Sequence, residues 1–172
     1  MSATDWPQRA AEIEELRREL TAAHRQYGEV SRGQPHRADP IAARLREVLD
    51  ASYEPVLAAM HDLKAGSASS VVVLLDFLLA DPWCFRSGCV KADAMHALAN
   101  RSQLLTAVRR RAAHEVIRHR LRHREPRLLR HTARLAMAVW DDSLEDRVRG
   151  LAAAGGEPGT DALYVLESRA VE

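Results

Sequence analysis

Residues 67–80 read SASSVVVLLDFLLA, and whether this run is a strand or a helix decides the class of the whole fold. Val71, Val72 and Val73 are β-branched and favour a strand. Nearly every position is apolar, so periodicity alone does not separate the two. Length, the serine-rich start and the helical character of the flanking sequence favour a buried central helix. Asp81-Pro82 ends it, because the residue before a proline avoids the helical region. On this reading no convincing strand pair exists anywhere. The expected fold is all-α, with seven to eight short helices in antiparallel pairs or an irregular helical bundle.

Towards the N-terminus, Asp39-Pro40 opens a helix with the stripe Ile41, Leu45, Val48, Ser52, Val56, Met60 and Leu63. Pro55 lies inside that stripe and predicts a kink or split near Tyr53, because it removes one backbone hydrogen bond. Residues 31–40, SRGQPHRADP, hold two prolines and a glycine and break the chain. They divide it into an N-terminal helix, residues 1–31, partly separate, and a helical domain over 39–172. Asp5 caps the first helix and Pro7 fits its first turn. Ile13, Leu16, Leu20, Ala23, Tyr27 and Val30 recur at spacings of three and four, a seam of coiled-coil type. Docking on the chain's own domain is the favoured use of that seam, and a homo-oligomer is the other.

Towards the C-terminus, a short helix starts at Ser87 or Gly88 and buries Val90, Ala94, Met95 and Leu98. A longer one covers 102–123, and Glu125-Pro126 begins the next. Asp142 or Ser143 caps another, AAAGGEPGT reads as a loop, and Asp161 to Ala170 is a final short helix, or else a strand through Leu163 to Leu166. RLLRHTARLAMAV (127–139), SLEDRVRGLAAA (143–154) and TDALYVLESRA (160–170) alternate as paired helices would. This rhythm resembles helical-hairpin repeats of the HEAT kind over the last third of the chain. The resemblance implies stacked antiparallel helix pairs and a role in binding.

Charge is the strongest functional signal. Residues 101–134 hold eleven arginines, no lysine and two acids, Glu115 and Glu125, which is +9 with histidine neutral. The whole chain is +1, so the remainder carries −8. Arg127, Arg130 and Arg134 fall on one helical stripe opposite the apolar face, and Arg111, Arg118 and Arg122 share an arc of the preceding helix. Two such arcs on adjacent helices predict one positive surface. Guanidinium forks match carboxylates and phosphates bidentately. The expectation is a non-enzymatic adaptor that holds an acidic protein partner through these six arginines. The chain's own acids, such as Glu12, Glu14, Glu15 and Glu19, are the competing partners. Nucleic-acid backbone ranks behind, because no aromatic side chains interleave the basic ones.

Other chemistry is thinly represented. Glu115, His119 and His123 stand four apart on one helix face, a spacing that suits metal ligation but more often marks half-buried packing residues. Several imidazoles among arginines are held neutral by like charge. Residues 81–93, DPWCFRSGCVKAD, place Cys89 in the first turn of a helix with Cys84 five residues before it. There the helix dipole favours a thiolate, so a thiol-based redox sensor or enzyme using Cys89 is the further alternative. Two small buried residues are the plainer account. No catalytic or cofactor motif reaches useful specificity, and neither a metal nor a cofactor is expected. The N-terminus lacks the pattern of a signal peptide, and the longest apolar run is far short of the roughly 20 residues a membrane helix needs. A cytoplasmic protein follows as the expectation, and the abundance of Ala and Arg suits a GC-rich bacterial genome.

Overall fold

The computed structural model describes residues 5–27, 39–82 and 87–170. They form eight α-helices: α1 (Trp6–Tyr27), α2 (Asp39–Lys64), α3 (Ser70–Ala80), α4 (Ser87–Asn100), α5 (Ala107–Arg122), α6 (Leu129–Ala138), α7 (Asp142–Ala154) and α8 (Gly156–Ala170). Short 3-10 turns precede α5 and α6, and no strand occurs among the described residues. The fold is all-α.

The valine-rich run is helical because its apolar positions find neighbours on most sides. Val71, Leu74, Leu75, Phe77 and Leu78 are buried, while Val72, Asp76 and Leu79 leave one narrow stripe to solvent. α3 touches α1, α2, α4 and α5. That burial outweighs the modest strand preference of three valines. The helix stops at Asp81, which takes a left-handed conformation (φ 47°) that aspartate tolerates better than most residues.

The helices lie in two layers. α1, α3, α5 and α7 touch in succession along one layer, and α2, α4, α6 and α8 along the other. Consecutive members α1/α2, α3/α4, α5/α6 and α7/α8 pack across the layers. Trp6, Leu74, Leu78, Met95, Ile117 and Leu135 belong to a main core. A smaller cluster joins Ile13 and Leu16 of α1 to Leu45, Val48 and Leu49 of α2.

Three local expectations meet the structure differently. The seam of α1 is used within the chain: Ile13, Leu16 and Ala23 are buried and Leu20 packs beside them. Val30 and the breaker at 31–38 lie outside the described residues, as does the side chain of Tyr27. Pro55 does not split α2, which runs unbroken through it, held by buried Ser52, Val56, Ala59 and Met60. The GEPGT stretch is not a loop but the start of α8. Gly155 and Gly156, both at positive φ, turn the chain, and Pro158 falls in the first helical turn, where no donor is needed. Gly159 follows; a Cβ there would stand 3.2 Å from the carbonyl oxygen of Ala152, so α7 and α8 meet almost backbone to backbone.

Candidate anion-binding face

The eleven arginines divide into two groups. Several are closed on the chain's own groups. Arg118 pairs with Glu115, which also binds Arg147 of α7. Burial pushes the Glu115 carboxyl up, but Arg147 and Arg118 outweigh that and hold it below the ordinary glutamate value. Arg124 reaches Glu157 at 2.8 Å and Asp161 at 3.3 Å on α8. Arg101 donates to the carbonyl of Lys64 at 2.7 Å.

Arg120 is enclosed most completely. It lies on the arc of Ala113, Val116 and Ile117, and its side chain is only 2% exposed. It pairs with Asp81, reaches Glu125 at 3.4 Å and donates to the carbonyl of Leu78 at 3.2 Å. Lys91, equally buried, meets the same Asp81 oxygen at 2.5 Å. His119 approaches the other Asp81 oxygen at 3.0 Å. Burial raises the Asp81 carboxyl, but Arg120 and Lys91 more than offset it and keep it below the usual aspartate value. This ionic cluster ties the end of α3 to α4, α5 and the turn before α6. Sequence reading missed it, although Arg120 shares its arc with apolar residues and Lys91 is one of only two lysines in the chain.

The second group is open. Arg109, Arg110, Arg111, Arg122, Arg127 and Arg130 form no ion pair among the described residues. Arg134 is exposed and donates to the side-chain oxygen of Asn100 at 3.0 Å. The acids of α1 do not neutralise this set: Glu12, Glu14 and Glu15 pair with Arg9, Arg17 and Arg18 of their own helix.

The two predicted arcs meet different surroundings. The α5 arc, with Arg111 and Arg122 open and Arg118 paired, turns towards α7 through Glu115 and Arg147. The α6 stripe turns towards α4 and α8. There Arg130 and Arg134 line a groove of about 560 Å³ with Asn100, Met137, Tyr164 and Ser168. Arg127 stands exposed in the turn just before α6. Of the six candidate residues, then, Arg130 and Arg134 share the α6–α8 groove, Arg127 stands in the turn before α6, and Arg111, Arg118 and Arg122 belong to α5.

The described histidines of α5 find ordinary company. His119 stacks on His123, with ring centres 4.2 Å apart. His114 is buried against the carbonyl of Val139 at 3.1 Å. No group of three or more His, Cys, Asp or Glu residues suited to a metal occurs among the described residues. Cys89 is exposed rather than buried, and Trp83, Cys84, Phe85 and Arg86 lie outside the described residues. No described helix is long and apolar enough to cross a membrane.

His131 sits beside the α6 stripe and carries a testable consequence. Burial, then Arg130 and His96, lower its imidazole below the ordinary value, against a weaker opposing pull from Asp93. The unfolded chain therefore takes the proton more readily. Stability is full above the unfolded value of 6.5 and declines as the pH falls through the lower folded value. In His131→Gln the loss of thermal midpoint between about pH 7 and pH 5 should be smaller than in the parent chain. Parallel midpoints at the two pH values decide it, and identical losses would contradict the assignment.

No protein-family model matches the chain, and neither a curated protein nor a solved structure is significantly similar to it.

Proposed function

We propose that this chain is a non-enzymatic helical interaction module that holds an acidic protein segment on the side of α6. Arg127, Arg130 and Arg134 would be the recognising residues. The observation that carries the reading is Arg130, a guanidinium without a carboxylate partner among the described residues, on the wall of an open groove that also offers a tyrosine and a serine. A planar fork beside amphipathic Tyr164 suits carboxylates on a peptide. The two-layer stacking also favours the HEAT-like reading, in which helix pairs present a surface rather than enclose a reaction centre. Arg111 and Arg122 on α5 would add long-range attraction without touching the ligand.

Fluorescence anisotropy with a labelled four-glutamate peptide, at low and at 0.5 M salt, tests the proposal. Binding should weaken steeply with salt and fall at least tenfold in Arg127→Glu/Arg130→Glu, about 1.4 kcal/mol. A 20-base-pair duplex is the competing probe. Retention of the duplex and not the peptide would transfer the surface to nucleic-acid backbone.

A further inference from the structure

α2 carries an acidic ridge. Glu47, Asp50 and Glu54 are exposed and form no ion pair among the described residues. They stand opposite the buried stripe of Leu45, Val48, Ser52 and Val56, on the outermost line of the helix. Arg46, one turn before Asp50, makes no ion pair with it, and Arg44 leans towards Glu12 of α1 instead, at 3.9 Å. Leu57 continues the ridge and is exposed.

α6 carries the complementary order. Arg130, Arg134 and Met137 fall at i, i+4 and i+7 of one regular helix, and all three line the α6–α8 groove. Asp50, Glu54 and Leu57 fall at i, i+4 and i+7 of another. Each set occupies about 10 Å of helix and an arc of about 60°. Acid, acid, apolar on α2 therefore matches base, base, apolar on α6, residue for residue. Ala99, Ala133 and Ala138 also line the groove, and such small side chains let a helical ridge settle into it.

We infer that the α6–α8 groove takes the α2 ridge of a second copy of this chain, with the two helices parallel. This rests on the function proposed above and names the acidic partner. Asp50 meets Arg130, Glu54 meets Arg134, and Leu57 packs on Met137. The same register brings Glu47 to the end of α6 where Arg127 stands. An antiparallel ridge would set Glu47 against Met137 and Leu57 against Arg127, which wastes both pairs. The contact is heterologous, because each copy offers one ridge and one groove. One helix laid in one groove is a small interface, so the association is weak and sensitive to salt.

Sedimentation velocity tests it. Between about 5 and about 500 μM at low salt the mass of the parent chain should rise with concentration, and 0.5 M salt should abolish the rise. Arg130→Glu/Arg134→Glu and Asp50→Arg/Glu54→Arg should each weaken association at least tenfold. An equimolar mixture of the two should associate again, because the first keeps the ridge and the second keeps the groove. The uncharged pair Arg130→Gln/Arg134→Gln and Asp50→Asn/Glu54→Gln should follow the same pattern without reversed charge, and thermal midpoints report whether each variant folds. A parent chain that stays monomeric, association that ignores these substitutions, or mixtures that stay apart would refute the contact. The labelled four-glutamate peptide separates the two readings. If it binds the parent chain and the α2 variants but not the α6 variants, the proposed function outlives the loss of self-docking. If it binds none of them, both readings fall.

Discussion

Asp81→Asn is expected to lower stability by about 3–5 kcal/mol, the usual consequence of removing one partner from a buried ion pair. Asparagine tolerates the left-handed backbone at this position, so the substitution removes charge and little else. Lys91 and Arg120, with side chains 4% and 2% exposed, would lose the carboxylate they share. Among the described residues, Glu125 at 3.4 Å would be the one carboxylate left to Arg120, beside the carbonyl of Leu78. For a chain of this size the thermal midpoint should drop by roughly 10 °C. Adding Lys91→Met and Arg120→Met should recover much of it, because apolar side chains need no counter-ion there. A drop below about 3 °C in Asp81→Asn would show that the cluster contributes little beyond surface electrostatics.

Trp6→Ala should cost a similar amount, about 3–5 kcal/mol, by a different route. Trp6 is 2% exposed and meets Phe77 edge-on, with ring centres 5.1 Å apart. It is the residue that carries α1 from the small α1–α2 cluster into the main core. Losing it removes a large apolar surface and leaves a cavity against α3. The expected result is a lower midpoint together with faster tryptic cleavage at Arg17 and Arg18. Unchanged cleavage and a full midpoint would mean that α1 docks through Ile13 and Leu16 alone.

How much of this was legible depends on whether the deciding partner was near in sequence. The helical state of residues 70–80 followed from length and neighbours, because burial on most sides leaves few other choices. Helical spacing was enough to put Arg130 and Arg134 on one groove, whereas Arg127 falls in the 3-10 turn before α6, where that spacing no longer applies. The start of α8 was not: glycine and proline read locally as a loop, and only contact with α7 explains why residue 159 has no side chain. Pro55 misleads in the same way, because its lost hydrogen bond is weighed against packing on distant helices. The ionic cluster was the least legible part. A charged residue on an apolar arc signals a buried partner, but nothing near Arg120 in the sequence points to Asp81 or Lys91. A groove between α2 and α4 was hidden for the same reason, since Leu57 and Lys64 line it with Asp93 and His96 only after the two helices pack.

Gly159 gives the α6–α8 groove an adjustment screw. Because α8 rests on the backbone of α7 at this point, the spacing of that hairpin sets where Tyr164 and Ser168 stand. A single methyl inserted there acts as a shim, displacing the outer wall while every lining residue keeps its identity. The aperture of that groove is thereby governed from the opposite side of a helix, at a position outside its lining.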